Sequence, residues 1–319
     1  MKAKKLIPIL ALILGLSSFA SCTPGDQTVE LYPHWGTNQT ADSTFSEELT
    51  YDVTFEKGSG LSAIGYDLTY KNGKYTTKLV EQKDGSYEYT TTLTIDAVYT
   101  LDGKDPVAMS DSVTTTVKFK AATASLQPIS SVKDITCYTP LLASKPTSIE
   151  NCYNVEKFHV ETTYAEDGKN GTAVKTNLAE KTPVPETLKF KKSNKYTYLD
   201  NEQIPFAFRA FSTDTTSAKV EKYCPFTKVR QTVAISFTAE EESAYTFKKL
   251  LINDEEKSDV SYSYRIATMK INAQNSGVSQ KVYLTTKAKD KNLILKMETP
   301  LSYSLGTLVY SLTSISRTE

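Results

Sequence analysis

The chain has 319 residues and carries 37 Lys and Arg against 37 Asp and Glu. This balance argues against a nucleic-acid-binding protein, which needs a basic excess to displace counterions from phosphates. With 39% hydrophobic and 23% charged residues, the chain is neither disordered nor a polytopic membrane protein. The 43 threonines and 20 tyrosines make up about a fifth of the chain, and both residue types favour β-strands.

The first 21 residues have the pattern of an export signal. Three lysines stand within the first five residues, and an apolar stretch from Leu6 to Leu16 follows them. This stretch is too short to span a bilayer as a helix, and a basic start with a short apolar run is typical of a signal peptide. We therefore expect residues 1–21 to be removed during export.

The signal ends in Phe19-Ala20-Ser21-Cys22, which resembles the lipobox of bacterial lipoproteins. The resemblance implies cleavage before Cys22 and attachment of a diacylglycerol to its thiol. Two acyl chains hold a protein at a membrane without a transmembrane helix. The expected location is thus the extracytoplasmic side of the cell membrane, with the membrane as partner. An ordinary secretory signal with a chance cysteine is the alternative.

Residues 22–47 predict a lipidated N-terminus and a flexible tether. Pro24, Gly25 and Gly36 lie among Thr, Ser and Asp residues, and the segment has little apolar periodicity. Leu31–Trp35 is its one apolar group, and we expect this group to dock on the domain rather than to rest among lipid headgroups.

A β domain is predicted from residue 48 to residue 319. Its first strand alternates apolar and polar residues at a period of two, with Leu49, Tyr51, Val53 and Phe55 on one face. Asn72-Gly73 is the strongest short hairpin signal, and Asp84-Gly85 and Asp102-Gly103 predict two further turns. Residues 48–120 therefore predict a meander of about five strands with one apolar face.

The second half of the domain is predicted to be a further set of strands. Residues 121–150 contain three prolines and are expected to be irregular. Strands are predicted at Tyr153–Tyr164, Thr172–Asn177, Leu188–Leu199, Ile204–Phe211, Val229–Phe237, Val260–Asn272, Val278–Thr286, Leu293–Glu298 and Thr307–Ile315. Ala239–Ile252 fits a strand or a helix, and the strand is favoured. No segment has a βαβ pattern, so an all-β fold with few or no helices is expected.

A sheet with one apolar face must cover that face with another layer. Two architectures satisfy this requirement. In a β-sandwich, the two meanders face each other and fill the core. In a half-barrel, one large antiparallel sheet bends strongly and leaves a concave apolar face that can hold a lipid-like ligand. Periodicity alone does not separate them.

The C-terminal runs Lys281–Thr286, Asn292–Glu298 and Leu301–Leu312 are similar to the ending of envelope proteins of the LolA/LppX-type half-barrel class. Leu126–Ile129 and Tyr198–Phe211 also resemble that class. The resemblance implies a half-barrel fold and contact with a lipid or a lipoprotein, and it carries over no functional residue. It therefore favours the half-barrel as the expected architecture.

Few residues are suited to catalysis or metal binding. Cys137 and Cys152 bracket a proline-containing segment and could form a disulfide, or they could be buried thiols together with Cys224. No Cys or His residues have zinc-ligand spacing, and His159 is expected to be structural or exposed. We therefore expect no cofactor, no metal and no enzymatic activity. The expected function is an envelope lipoprotein that binds a hydrophobic ligand on its concave face; the alternative is a structural or adhesive β-sandwich.

Overall fold

The computed structural model describes residues 46–122, 125–142, 145–166, 170–191, 195–212, 214–272, 279–286 and 292–318. The predicted signal, Cys22 and most of the predicted tether lie outside these residues. The first strand begins at Ser46, two residues before the predicted domain boundary.

Strands dominate the described residues, which confirms the predicted all-β class. The strands are β1 (Ser46–Lys57), β2 (Asp67–Glu81), β3 (Ser86–Thr100), β4 (Val107–Ala122), β5 (Ser125–Pro140), β6 (Tyr153–Tyr164), β7 (Asn170–Asn177), β8 (Glu186–Lys191), β9 (Thr197–Tyr198), β10 (Ser217–Cys224), β11 (Val229–Phe237), β12 (Tyr245–Ile252), β13 (Glu255–Tyr262), β14 (Tyr264–Asn272), β15 (Gln280–Thr285), β16 (Ile294–Pro300) and β17 (Gly306–Thr318). The described residues contain one short α-helix, α1 (Ile204–Ala207), and 3₁₀ turns at Ser59–Ala63, Ile149–Asn151, Asn201–Gln203, Phe208–Ala210 and Ser302–Ser304.

All 17 strands belong to one large open sheet. Antiparallel pairing runs from β8 back through β7, β6, β5, β4, β3 and β2 to β1. From β1 it continues through β17, β16, β15, β14 and β11 to β10. Two short parallel contacts, β9 with β10 and β12 with β17, make the sheet mixed. The two halves of the chain are thus joined through the ladder between β1 and β17.

The predicted hairpin at Asn72-Gly73 is wrong, because β2 runs straight through it. Asn72 has a φ of 54°, but the chain does not reverse. Instead, the register of β2 on β3 shifts between Lys71 and Lys74, as at a β-bulge. Gly73 is needed for close approach, since a Cβ there would lie 2.4 Å from the carbonyl oxygen of Val53 on β1. Residues 46–122 therefore contain four strands rather than about five.

The other turn predictions in this half are confirmed. Gly85 and Gly103 have φ values of 75° and 71°, and the Asp84 carboxylate accepts a hydrogen bond from the backbone N–H of Ser86 at 3.0 Å. The irregular segment predicted over residues 121–150 is wrong, since β5 occupies much of it. Pro128 lies opposite Phe119 at a register shift, a place where a missing N–H is tolerated.

Two predictions in the second half have different outcomes. The strand favoured over Ala239–Ile252 is confirmed over Tyr245–Ile252, as β12, whereas residues 239–244 are not in a strand. The strand predicted over Ile204–Phe211 is wrong, because these residues form α1 and a 3₁₀ turn. The Asp200 side chain and Gln203 form a capping box at the start of this segment, which directs the chain into helical turns. The sequence also predicts a turn at Asn275-Ser276-Gly277, and these three residues lie outside the described part of the chain.

The core lies on the concave side of the sheet. Its largest fully buried apolar side chains are Tyr51, Tyr99, Phe119, Phe206, Phe208, Phe211 and Tyr310. Strands from both halves meet there: the Tyr51 hydroxyl on β1 donates a hydrogen bond to the carbonyl oxygen of Ile294 on β16 at 3.0 Å. A single sheet that curls around its own core corresponds to the half-barrel rather than to two facing sheets.

Candidate functional site

The concave side of the sheet is occupied by the chain itself. Residues 199–211, which we call the inner segment, connect β9 to β10 through this interior. Every residue of the inner segment is buried except Pro205, which is half-buried. The Phe206 ring centroid lies 5.0 Å from that of Phe119 and 5.1 Å from that of Tyr89. The inner segment therefore fills the place predicted for a ligand.

The ends of the inner segment are tied to both halves of the chain. Near its start, the Gln203 side chain donates a hydrogen bond to the carbonyl oxygen of Leu126 on β5 at 3.0 Å. At its end, the Asn292 side chain donates to the carbonyl oxygen of Phe211 at 2.5 Å. These bonds hold the segment across the concave face.

A buried acidic residue, Asp200, is the second residue of the inner segment. Asp200 is 1% exposed, and its Oδ2 accepts hydrogen bonds from Ser131 Oγ at 2.8 Å and from the Tyr164 hydroxyl at 2.5 Å. Burial raises the pKa of Asp200, and the nearby Glu202 carboxylate acts in the same direction. The two hydroxyl donors satisfy a carboxyl group that has been removed from water.

Charged partners from the sheet neutralise the rest of this polar end. Lys133 on β5 forms a buried ion pair with Glu202 at 2.8 Å. Lys222 on β10 donates to Asn201 Oδ1 at 2.7 Å, and burial lowers the pKa of Lys222 to about 8. Two acidic and two basic side chains thus meet inside the sheet. A buried cluster of this kind stabilises less than apolar packing of equal volume.

A second charged cluster holds the other end of the inner segment. Arg209 contacts both carboxylate oxygens of Glu47 on β1, at 2.5 and 3.3 Å. Arg317 on β17 binds Glu47 Oε2 through Nε and Nη2, each at 2.8 Å. Burial opposes ionisation of Glu47, yet the two guanidinium groups hold its pKa below the usual value. We call these three residues the Glu47 cluster.

Two small cavities lie beside the inner segment in the described part of the chain. Each has a volume of about 10 Å³, and both have Tyr75, Pro205 and Met297 in their walls. Such a volume is about the size needed for one water molecule. A lipid therefore does not fit in either of these two cavities unless the inner segment moves.

The cysteine pair considered for a disulfide is not bridged. Cys137, Cys152 and Cys224 are all free and buried. The backbone explains why: the carbonyl of Cys152 accepts a hydrogen bond from the N–H of Leu141 at 2.8 Å. Leu141 follows the last residue of β5 and lies four residues beyond Cys137. Four strand residues cover about 13 Å, whereas a disulfide requires Cα atoms within about 7 Å.

His159 lies on the sheet surface between two carboxylates. Its Nδ1 is 2.7 Å from Asp134 Oδ1, and its Nε2 is 3.1 Å from Glu161 Oε1. Hydrogen bonds to these carboxylates raise the pKa of the imidazole. The arrangement stabilises a charged histidine across neighbouring strands. Among the described residues, no group of three or more His, Cys, Asp or Glu side chains is placed to hold a metal ion.

Asp111 is a buried acid that the sequence analysis missed. It is 2% exposed, and its Oδ1 accepts a hydrogen bond from the backbone N–H of Tyr138 at 2.7 Å. Burial raises the pKa of Asp111 to about 8, and the carboxylates of Asp96 and Glu156 add to the shift. Asp111 and inward-facing Val113 are two residues apart on β4 and therefore lie on the same face of the strand. This alternation could have indicated from the sequence that Asp111 is buried.

The Asp111→Asn variant is expected to become more stable relative to the wild type as pH rises. The carboxyl takes up a proton on folding between its unfolded pKa near 4 and its folded pKa, so wild-type stability falls across that window. Asparagine keeps the acceptor oxygen and has no such titration. Thermal melts should show the difference in free energy of unfolding growing by roughly 2 kcal/mol or more from pH 4 to pH 9. Exposed Asp84, whose pKa is lowered by hydrogen bonds from Ser86, is the control, and its Asn variant should not gain with pH. A pH-independent difference at Asp111 would contradict the prediction.

These features define a barrel-like all-β protein, in which one open, curved sheet surrounds a segment of its own chain. A solved structure shares this fold: the crystal structure of a beta-barrel-like protein of domain of unknown function DUF1849 from Brucella abortus. It superposes with a TM-score of 0.52 at 11% sequence identity, over 86% of this chain and 98% of that chain. At this identity the likeness concerns the fold alone. No family model and no curated protein matches the sequence.

Proposed function

We propose that the protein is a non-enzymatic lipoprotein of the cell envelope, held through Cys22 at the extracytoplasmic side of the cell membrane. The basic start, the short apolar run and the Phe19–Cys22 sequence carry this proposal. None of the helices among the described residues is long and apolar enough to cross a bilayer. Attachment through acyl chains would supply membrane binding without such a helix.

For the β domain, the filled interior favours a structural or adhesive role over carriage of a lipid inside the sheet. Phe206, Phe208 and Phe211 take up the apolar contacts that a ligand would make. A hydrophobic ligand on the concave face is the second candidate function. The buried charges at Asp200, Glu202 and Lys222 favour this second function. Buried charges contribute less to stability than apolar packing, so displacement of the inner segment by a ligand would cost less free energy.

Replacement of Cys22 by Ser is expected to release the protein from membranes. Loss of the thiol removes the acyl attachment, and the remaining signal segment is too short to anchor the chain. Fractionation of cells should find the wild type with the membranes and most of the variant in the soluble extracytoplasmic fraction. Cys224→Ser, which alters a buried thiol of the β domain, should stay with the membranes. Retention of the Cys22→Ser chain on membranes would overturn the proposed anchor.

A further inference from the structure

Two connections pack against each other at one end of the sheet. Residues 58–66 join β1 to β2, and residues 301–305 join β16 to β17. The backbone N–H of Gly58 in the first connection donates a hydrogen bond to the carbonyl oxygen of Leu305 in the second, at 2.9 Å. We call these two connections the tip.

The tip holds Tyr303 in a backbone conformation that costs free energy. Tyr303 has a φ of 58°, and the next residue, Ser304, has a φ of 55°. Both lie in the left-handed region, which bulky side chains rarely occupy. Leu301 and Leu305 on either side are 1% and 0% exposed, so the ends of this turn are fixed in the core. Backbone strain that a fold retains is a reason to look for a function at that place.

Two glycines of the first connection make room for the strained turn. A Cβ on Gly60 would lie 2.0 Å from the carbonyl oxygen of Tyr303, and a Cβ on Gly58 would lie 2.1 Å from that of Ser304. The two connections therefore fit together only because these positions have no side chain. This contact fixes the backbone of Tyr303 before any ligand arrives, which lowers the entropy cost of binding.

The Tyr303 side chain is presented to solvent. It is 55% exposed, which makes it the most exposed aromatic residue in the described part of the chain. Aromatic side chains supply a large contact area and lose little conformational freedom on binding. For this reason they are frequent at the centres of binding surfaces.

The tip is neutral and rich in hydroxyl groups. Neither residues 58–66 nor residues 301–305 include a Lys, Arg, Asp or Glu. Besides Tyr303, the exposed residues of the tip are small: Ser59, Ser62, Ala63, Gly65 and Ser304. A serine hydroxyl both donates and accepts hydrogen bonds, as the hydroxyls of a sugar do. A highly charged partner such as a nucleic acid would find no counter-charge on these two connections.

The size of the tip favours a sugar chain over a protein as its partner. A stable protein interface takes roughly 20–30 residues from each side, whereas the two connections have six exposed residues. A sugar ring needs less surface. Its C–H groups can pack on the electron-rich face of one aromatic ring, and its hydroxyls require only a few hydrogen-bonding groups.

We propose that the tip binds a neutral sugar chain whose ring hydroxyls are equatorial, as in β-linked glucose. Such a ring has only C–H groups on its two faces, so it stacks on Tyr303 while serine hydroxyls bind its edge. This inference rests on the adhesive role proposed above and names its partner. The twelve residues of β1, at about 3.3 Å each, place the tip about 36 Å from Ser46, where the predicted tether enters the domain.

An NMR titration of the full Cys22→Ser chain with cellopentaose, a neutral chain of β-linked glucose, tests the proposal. A single aromatic contact gives weak binding, so we expect a Kd of about 1 mM. Saturation transfer from the protein should reach the C–H protons of the sugar. Sorbitol, which has hydroxyls but no flat C–H face, should receive no transfer. Because the chain in this test is unanchored, its outcome does not depend on the proposed membrane attachment, which fractionation tests separately.

Variants of Tyr303 locate the site. Tyr303→Phe keeps the ring and should bind cellopentaose within about twofold of the wild type. Tyr303→Gly should weaken binding at least about tenfold and raise the melting temperature, because glycine adopts the left-handed conformation without strain. A Tyr303 with a purely structural role would not combine lost binding with gained stability.

Val184→Ala is the matched control, since Val184 is 68% exposed on a different connection, and it should leave cellopentaose binding unchanged. Absence of saturation transfer from the wild type to cellopentaose overturns the proposal. Binding that persists in Tyr303→Gly also overturns it, because the sugar would then bind elsewhere on the protein.

Discussion

Replacement of Glu47 by Gln is expected to lower the free energy of unfolding by about 3–5 kcal/mol. The side chains of Glu47 and Arg209 are only 3% and 7% exposed, so the variant leaves a guanidinium buried without its counter-charge. Arg317 is 16% exposed and can turn towards water, which leaves Arg209 as the source of the cost. Urea unfolding at neutral pH measures the change.

A double variant separates the charge from the packing. Glu47→Leu with Arg209→Met replaces the buried pair by apolar groups of similar size and should recover most of the loss, because desolvation of the charges is then avoided. Glu256→Gln is the surface control, since its pair with Lys249 is 52% and 72% exposed, and it should cost less than about 1 kcal/mol. A loss of similar size in the single and double variants would show that charge is not the cause.

The Glu47 cluster also predicts how acid affects stability. The folded pKa of Glu47 lies below its ordinary value, so ionised Glu47 stabilises the fold above its unfolded pKa near 4.3. This contribution is lost as pH falls through the folded value. The Gln variant lacks this group, so the gap in stability between the two proteins should narrow in acid.

Sequence reasoning succeeded where one strand face is buried. The strand predicted over Tyr153–Tyr164 has the same bounds as β6, because alternation of apolar and polar residues directly encodes which face meets the core. The glycines after Asp84 and Asp102 were also correct turn signals, since no competing strand contact lies at either glycine: a Cβ there would meet nothing within 4 Å.

Prediction from the sequence failed where contacts with neighbouring parts of the chain determine the local structure. Asn72-Gly73 has the local chemistry of a hairpin, yet β2 lies between β1 and β3 and pairs with both. Two flanking ladders favour a bulge in a continuous strand over a reversal of the chain. Ile204–Phe211 is likewise an apolar run that fits a buried strand or a buried helix equally well. A segment that is buried on all sides shows no alternation of apolar and polar residues. Its local pattern therefore does not distinguish a strand from a helix.

The charged clusters could not be predicted from local sequence patterns, because their members lie far apart in the chain. Glu47 and Arg209 are 162 residues apart in the chain, and Arg317 joins them from the last strand. The Glu47 cluster thus connects β1, the inner segment and β17, close to the point where the predicted tether enters the domain. If the chain is anchored through Cys22, the strand nearest the membrane attachment is bonded directly to the segment that fills the core.

Replacement of Phe206 by Ala is expected to cost about 3–5 kcal/mol of unfolding free energy. Phe206 is 2% exposed, and its ring packs between Tyr89 and Phe119. Truncation would join the lost ring volume to the existing cavity of about 10 Å³ beside Pro205. An enlarged cavity with mainly apolar walls stays dry and admits small apolar molecules.

Benzene should therefore raise the melting temperature of the Phe206→Ala chain and leave that of the wild type unchanged. Tyr303→Ala is the control, because Tyr303 is 55% exposed and its loss should change stability by less than about 0.5 kcal/mol.

Native mass spectrometry on the same proteins distinguishes the two candidate functions of the concave face. A wild-type mass equal to that of the protein alone favours the structural role, since the inner segment then occupies the site. A cost below about 1 kcal/mol for Phe206→Ala, together with a lipid that co-purifies with the wild type, would instead mean that the inner segment yields to a ligand.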